Sequence, residues 1–329
     1  MSQQKILSRP SIGAFMSKYG IVVIFVGLCT ILAIVEPVFL SMRNITNVIR
    51  QVSIIGIVSM GVTFAIITTG IDLSSGSIIA LISVVVATMS QNMVNPDQPV
   101  SIVMPIAIAV GISLLLGLLL GIVNGTLTAF GKIPPFIATL GMMTVARGAA
   151  ALYTNGRPVG DLKESFTFIG TGSVFGIPLP IWIFIAMGIM SHILLSKTKF
   201  GRHVFAIGGN VQAARICGIN VERTLVKVYA YAGFLTAVSA IILTARTSAG
   251  NPTYGLAYEL DAIASTVIGG TSLSGGIGSI PLCVVGALII GVLNNGMDLL
   301  GVNAYWQQIA KGFIIVIAVL IDARKQKRG

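Results

Sequence analysis

Residues 98–131 read QPVSIVMPIAIAVGISLLLGLLLGIVNGTLTAFG, without a single Asp, Glu, Lys or Arg. A helix needs about 20 apolar residues to cross a hydrocarbon layer of roughly 30 Å, so this stretch is long enough to span a membrane with residues to spare. Comparable uncharged runs extend over Gln51–Ile71, Leu73–Pro96, Ser165–Ser196, Val228–Ala245 and Ala262–Met297. They are built of Ile, Leu, Val and Ala without the two-residue alternation of a membrane β-strand, so the spans are helical.

The composition agrees. Of 329 residues, 55% are hydrophobic and only 9% charged, with a mean hydropathy of +0.94. A soluble domain carries roughly 25% charged residues, and a disordered chain is poor in apolar ones; both classes are excluded. The 38 Gly and 12 Pro follow no three-residue period, which excludes collagen.

The net charge of +11 does not point to nucleic acid, because the basic residues are not spread along one surface. They gather at the start (Lys5, Arg9, Lys18), in one central segment (Lys197, Lys199, Arg202, Arg215, Arg223, Lys227) and at the end (Arg324, Lys325, Lys327, Arg328). Acidic residues (Glu36, Asp97, Asp161, Glu164, Asp298) fall on the other connections. This asymmetry is the positive-inside pattern and places both termini in the cytoplasm.

The expected fold is therefore an all-α polytopic membrane protein of about ten spans, some broken, forming one transmembrane domain over residues 1–329. The spans fall near Gly20–Leu40, Gln51–Gly70, Gly76–Met93, Ser101–Val123, Pro134–Tyr153, Leu179–Ser196, Thr224–Ala245, Glu259–Gly270, Ile280–Gly296 and Tyr305–Asp322. An outer loop covers 154–178 and a basic inner loop 197–227. In the inner loop Val211–Cys217 forms two turns of helix, with Asn210 as N-cap and Gly218 as C′ residue. Gly117, Gly121 and Gly125 share one helix face, a small-residue stripe suited to close helix contact.

Two interruptions carry most of the polar sequence within the spans. Gly70–Ser77 (GIDLSSGS) and Gly269–Ser279 (GGTSLSGGIGS) share the pattern G-x-x-L-S-x-G. Either they line a pathway at membrane depth, where irregular backbone must be satisfied by protein or cavity water, or they are tight turns at the cytoplasmic surface. Asp72, Ser74, Ser272 and Ser274 are the candidate pathway residues. Two cations also lie within spans, at a cost on the order of 3 kcal/mol each at the bilayer centre. Arg147 is expected to reach outward to the interface, and Lys311 to pair with Asp298, Glu259 or Asp261 or to face the pathway.

No catalytic or nucleotide-binding motif is present. Gly125–Ile133 is one residue too long for a P-loop and lacks its Ser or Thr. Three Cys and two His form no spaced metal-ligand set, so no metal site and no bound cofactor is expected.

Taken in order, Gly70-Ile71-Asp72-Leu73-Ser74, Phe136-Ile137-Ala138-Thr139-Leu140, Phe200-Gly201-Arg202, Ala206-Ile207-Gly208-Gly209-Asn210, Gly218-Ile219-Asn220-Val221, Tyr258-Glu259-Leu260-Asp261-Ala262-Ile263-Ala264 and Gly269-Gly270-Thr271-Ser272-Leu273 resemble the membrane permeases of bacterial ATP-binding-cassette importers for monosaccharides. The resemblance runs from the first span to Ile321. It implies a multi-pass inner-membrane subunit that carries ribose or allose inward and is not itself an enzyme. ATP and magnesium would be bound by a separate ATPase subunit. The further partners it implies are a periplasmic sugar-binding protein, a second permease chain forming a homodimer with this one, and membrane lipid, with no nucleic acid. Its coupling-helix pattern E-A-A-x-x-x-G falls on Gln212, Ala213, Ala214 and Gly218, following Asn210, with Gln in place of Glu. An ATP-independent sugar carrier or facilitator is the competing reading, and an intramembrane enzyme a third.

Overall fold

The computed structural model describes residues 12–96 and 98–326. Lys5, Arg9, Asp97, Lys327 and Arg328, which the charge map uses, lie outside the described residues. The helices are α1 (Ile12–Val35), α2 (Met42–Ile67), α3 (Ser75–Met89), α4 (Ile106–Ala129), α5 (Pro135–Thr154), α6 (Glu164–Thr171), α7 (Leu179–Lys197), α8 (Lys199–Gly209), α9 (Val211–Ile216), α10 (Val221–Thr247), α11 (Tyr258–Ile268), α12 (Ile280–Leu299) and α13 (Ala304–Gln326). A two-residue hairpin, β1 (Ser173–Val174) with β2 (Ile177–Pro178), precedes α7. Among the described residues, six helices are long and apolar enough to cross a membrane: α2, α4, α5, α7, α10 and α12. Gly20–Val35 and α3 are apolar but shorter.

Several boundaries differ from the sequence reading for local reasons. The first span stops at Val35, and Pro37–Leu40 forms a separate 3-10 turn. α2 begins nine residues before Gln51, because Ser41 Oγ accepts from Asn44 N (3.2 Å) and caps it. Arg43 and Arg50 hide that start from a search for uncharged runs. Asn44 turns inward and exchanges two side-chain hydrogen bonds with Asn295 of α12, at 2.9 and 2.8 Å. The outer connection contains α6 and the hairpin. The basic inner connection contains α8, capped by Thr198 Oγ1, which accepts from Gly201 N at 3.2 Å, as well as the expected α9.

α2 and α10 form the centre of the bundle and are buried along most of their length, while α4, α5 and α7 show most of their surface. α4 lies along α10 through the glycine stripe. A Cβ at Gly121 would stand 2.2 Å from the Tyr229 carbonyl oxygen, and one at Gly125 2.7 Å from Val226 Cα. From the other side, a Cβ at Gly233 would meet the Gly117 carbonyl oxygen at 2.2 Å. The two backbones touch, which maximises dispersion where lipid offers no hydrophobic drive for association.

The last helix is held by charge. Lys311 Nζ of α13 lies 2.9 Å from Asp261 Oδ2 of α11, with side-chain exposures of 24% and 3%. Asn294 of α12 reaches the same carboxylate. The Asp261 alternative among the sequence-stated partners of Lys311 is thus the one the structure forms.

Two outcomes follow for stability. Gly121→Val, which drives a side chain into backbone, should abolish recovery of folded protein. Gly111→Ala on the same helix, where a Cβ meets nothing within 4 Å, should leave it unchanged; detergent-solubilised yield by size-exclusion chromatography reads both. Lys311→Met should destabilise by roughly 3 kcal/mol or somewhat less, given the partial exposure of the lysine. Adding Asp261→Asn should restore most of the melting temperature, and a double variant no better than the single would exclude the charge as the cause.

Candidate functional site

The first interruption is recessed into the bundle. After α2 ends, Thr69 adopts a left-handed φ of 64° and Gly70 N donates back to the Ala65 carbonyl at 2.9 Å. Thr139 Oγ1 of α5 accepts from Leu73 N at 3.2 Å and lies 3.0 Å from the Ile71 carbonyl. Asp72 Oδ1 accepts from both Ser74 N (2.9 Å) and Ser74 Oγ (2.6 Å), pinning the turn into α3. Asn124 Nδ2 of α4 donates to Ser74 Oγ at 2.8 Å. Asn124 sits five residues before the end of α4 and Thr139 four residues after the start of α5, so the segment lies about 6–8 Å inside those helix ends. Asp72 and Ser74 are buried there.

The second interruption behaves differently. Gly276 N donates to the Ile67 carbonyl at 2.9 Å, at the end of α2. Gly208 of α8 is packed so tightly against both that its Cβ would lie 2.5 Å from Gly276 N and closer still to the Ile67 oxygen. Ser272 is buried and Ser274 exposed. Gly270, Gly275 and Gly276 all take positive φ, whereas their counterparts in the first copy do not, and Gly76 already belongs to α3. The shared sequence pattern therefore folds into two different backbones. They meet one element, the C-terminal end of α2: one leaves it and the other docks on it. Asp72 and Ser74 are linked directly to each other, Ser272 and Ser274 belong to the docking break, and Lys311 is engaged with Asp261.

A third irregular segment, residues 248–257 between α10 and α11, escaped the sequence reading. It pairs with the outer connection through Val159 and Gly250, whose N–H and carbonyl groups bond reciprocally at 2.8 Å. It then descends beside α3, where Ser83 Oγ lies 3.2 Å from the Asn251 carbonyl and Gly255 sits against Gly76. Arg147 Nη1 donates to the Pro252 and Tyr254 carbonyls at 2.9 and 2.7 Å. Arg147 therefore turns inward, contrary to the expected reach to the interface, because two buried carbonyls compete for it more effectively than distant headgroups. Nothing local in the sequence distinguishes those directions.

At the basic end, α9 has the caps the sequence specifies. Asn210 Oδ1 accepts from Ala213 N at 2.9 Å. Gly218 has φ +79°, and its N–H and that of Ile219 donate to the Arg215 and Ala214 carbonyls at 2.9 and 3.0 Å. Ala214 is buried with Ile207 and Val221 in a small core of its own. Gln212, Ala213 and Arg215 face outward with Ile216, which is 87% exposed. The short helix thus presents a partly apolar outer face that no other described residue covers.

The comparisons agree with this arrangement. The family described as "branched-chain amino acid transport system / permease component" matches residues 44–319. The ribose import permease RbsC of Bacillus subtilis is 49% identical over 300 residues, covering 91% of this chain and 90% of its own length. RbsC of Haemophilus influenzae is 44% identical over 319 residues, 96% of each chain. The galactose/methyl galactoside import permease MglC of Escherichia coli is 36% identical over 332 residues, 98% of each. No solved structure matches significantly. With its helical bundle, its capped basic loop and these relatives along its whole length, the chain belongs to this family of transport-system permeases and is an inner-membrane transport subunit.

Proposed function

We propose that this chain is the permease of an ATP-driven sugar importer whose cargo is ribose. The observation that carries the cargo is the 49% identity to a ribose import permease along nine-tenths of the chain; the resemblance alone left allose equal to it. In this reading about ten spans cross the membrane, both termini are cytoplasmic, and two copies of the chain pair. A separate ATPase binds ATP and magnesium, and a periplasmic binding protein delivers the sugar.

The exposed face of α9 is the ATPase contact, and α8 carries its motion to Gly208 and the second break. Ser272 and Ser274 stand at the cytoplasmic mouth of the pathway, with Asp72, Ser74 and Lys311 beside it as supports. Gln212 in place of the family's Glu makes that contact depend on Ala213, Arg215 and Ile216 more than on an acidic group.

Vesicles containing this chain with its ATPase and binding protein should take up labelled ribose only when ATP is enclosed with the ATPase. Uptake by the chain alone would support the carrier reading instead. In the same vesicles Ala213→Trp should cut uptake at least 10-fold at normal membrane levels, because it blocks the contact without disturbing the helix. Ala214→Trp, pointing into the small core, should lower the membrane level itself. Equal uptake by Ala213→Trp and the unaltered chain would remove α9 from coupling.

A further inference from the structure

The buried carboxylates of the bundle are balanced unequally. Asp261 has Lys311 at 2.9 Å, and Glu259 lies in the field of Arg147. Asp72 is 3% exposed, and neither ion pair found among the described residues includes it. Its surroundings are rich in oxygen atoms that lack partners. Asn124 Oδ1, Thr128 Oγ1 and Tyr229 Oη are all buried without a hydrogen bond. Asn124 and Tyr229 are 0% and 1% exposed.

The hydrogen-bond inventory fixes how these atoms point. The single proton of Ser74 Oγ goes to Asp72 Oδ1, so Ser74 can only accept from Asn124. The amide nitrogen of Asn124 therefore faces Ser74, and its oxygen, which cannot donate, is left buried without a partner. Thr128 follows one helical turn later on the same face of α4. The Tyr229 hydroxyl closes the recess from α10 and lies against Gly70, where a Cβ would stand 2.3 Å from it. Tyr229 also lies in the field of Asp72, and its hydroxyl approaches that of Thr128 closely without forming a well-aligned hydrogen bond.

We propose that this recess binds one monovalent hard cation of the sodium type, held by the Asp72 carboxylate together with Asn124 Oδ1, Thr128 Oγ1 and Tyr229 Oη. The donor set is oxygen only, which suits hard cations and not the thiolate- or imidazole-seeking metals. One unbalanced negative charge calls for one positive charge, since a divalent ion would leave an excess in a low-dielectric interior. Water alone would satisfy the oxygens but leave the charge. A proton on Asp72, with the Thr128 and Tyr229 hydroxyls as donors, is the competing way to balance the same atoms, and it predicts a response to pH in place of sodium. The bound ion ties the first break to α4 and α10 together.

The test is thermal unfolding of the purified full chain in nanodiscs, with sodium chloride replaced stepwise by choline chloride at constant ionic strength. Sodium should raise the melting temperature saturably by about 5 °C. Potassium should act more weakly, and Tyr229→Phe should raise the half-saturating sodium concentration about 10-fold. Asp72→Asn should abolish the sodium dependence. Should that variant fail to fold, binding of radioactive sodium to the unaltered chain decides, with about one ion per chain expected. Identical melting in all salts with no bound sodium, or a response to pH alone, would overturn the site and leave Asp72 protonated.

Discussion

Backbone polar groups inside a lipid layer have no water to turn to, and every irregular segment of this bundle is shaped by that constraint. The first break is satisfied by Thr139, by the Ala65 carbonyl and by the Asp72–Ser74 turn. The segment between α10 and α11 is satisfied by Arg147 and Ser83, and the second break by the Ile67 carbonyl. Each partner sits on a regular helix placed within a few ångströms of the irregular one. That proximity depends on α4 and α10 touching through glycine, because Asn124 and Tyr229, which enclose the first break, stand on those two helices. The plain helix contact is thus a precondition for the unusual backbone.

The same logic links the basic face to the interior. α9 rests on α8 and α10 through Ala214, Ile207 and Val221, and α8 ends with Gly208 wedged against the Ile67 carbonyl and Gly276. Close-packed contacts of this kind transmit displacement instead of absorbing it. A force on the outer face of α9 would reach the end of α2 and both breaks without crossing a flexible linker. This is a contiguous route and supports the proposed coupling.

Much of the architecture was legible in the chain. Charge-free runs located the spans, since lipid admits few charges; the Gly117–Gly125 stripe announced a close contact that α10 supplies; and Asn210 with Gly218 marked α9. Most of the features that stayed hidden depend on a partner distant in sequence. The inward turn of Asn44, just inside the Ser41-capped start of α2, depends on Asn295, 251 residues away. The inward turn of Arg147 depends on carbonyls 105 and 107 residues away. The two G-x-x-L-S-x-G copies diverge because one meets Thr139 and the other meets Ile67 and Gly208. Asn124 could have been flagged as an amide inside an otherwise apolar run, but its role required Ser74.

The buried hydroxyls complete the argument about where a sugar could pass. A pathway for a neutral, hydroxyl-rich cargo would draw on Ser, Thr, Asn and Gly. In the central helices those hydroxyls are already committed. Ser59, Thr63, Thr236, Thr244 and Ser265 each donate to the carbonyl four residues back in their own helix. Their protons are thereby spent on the interior of their own helices. The core of the single bundle is therefore a scaffold. A route for sugar between two copies of the chain, as proposed above, would leave that scaffold intact.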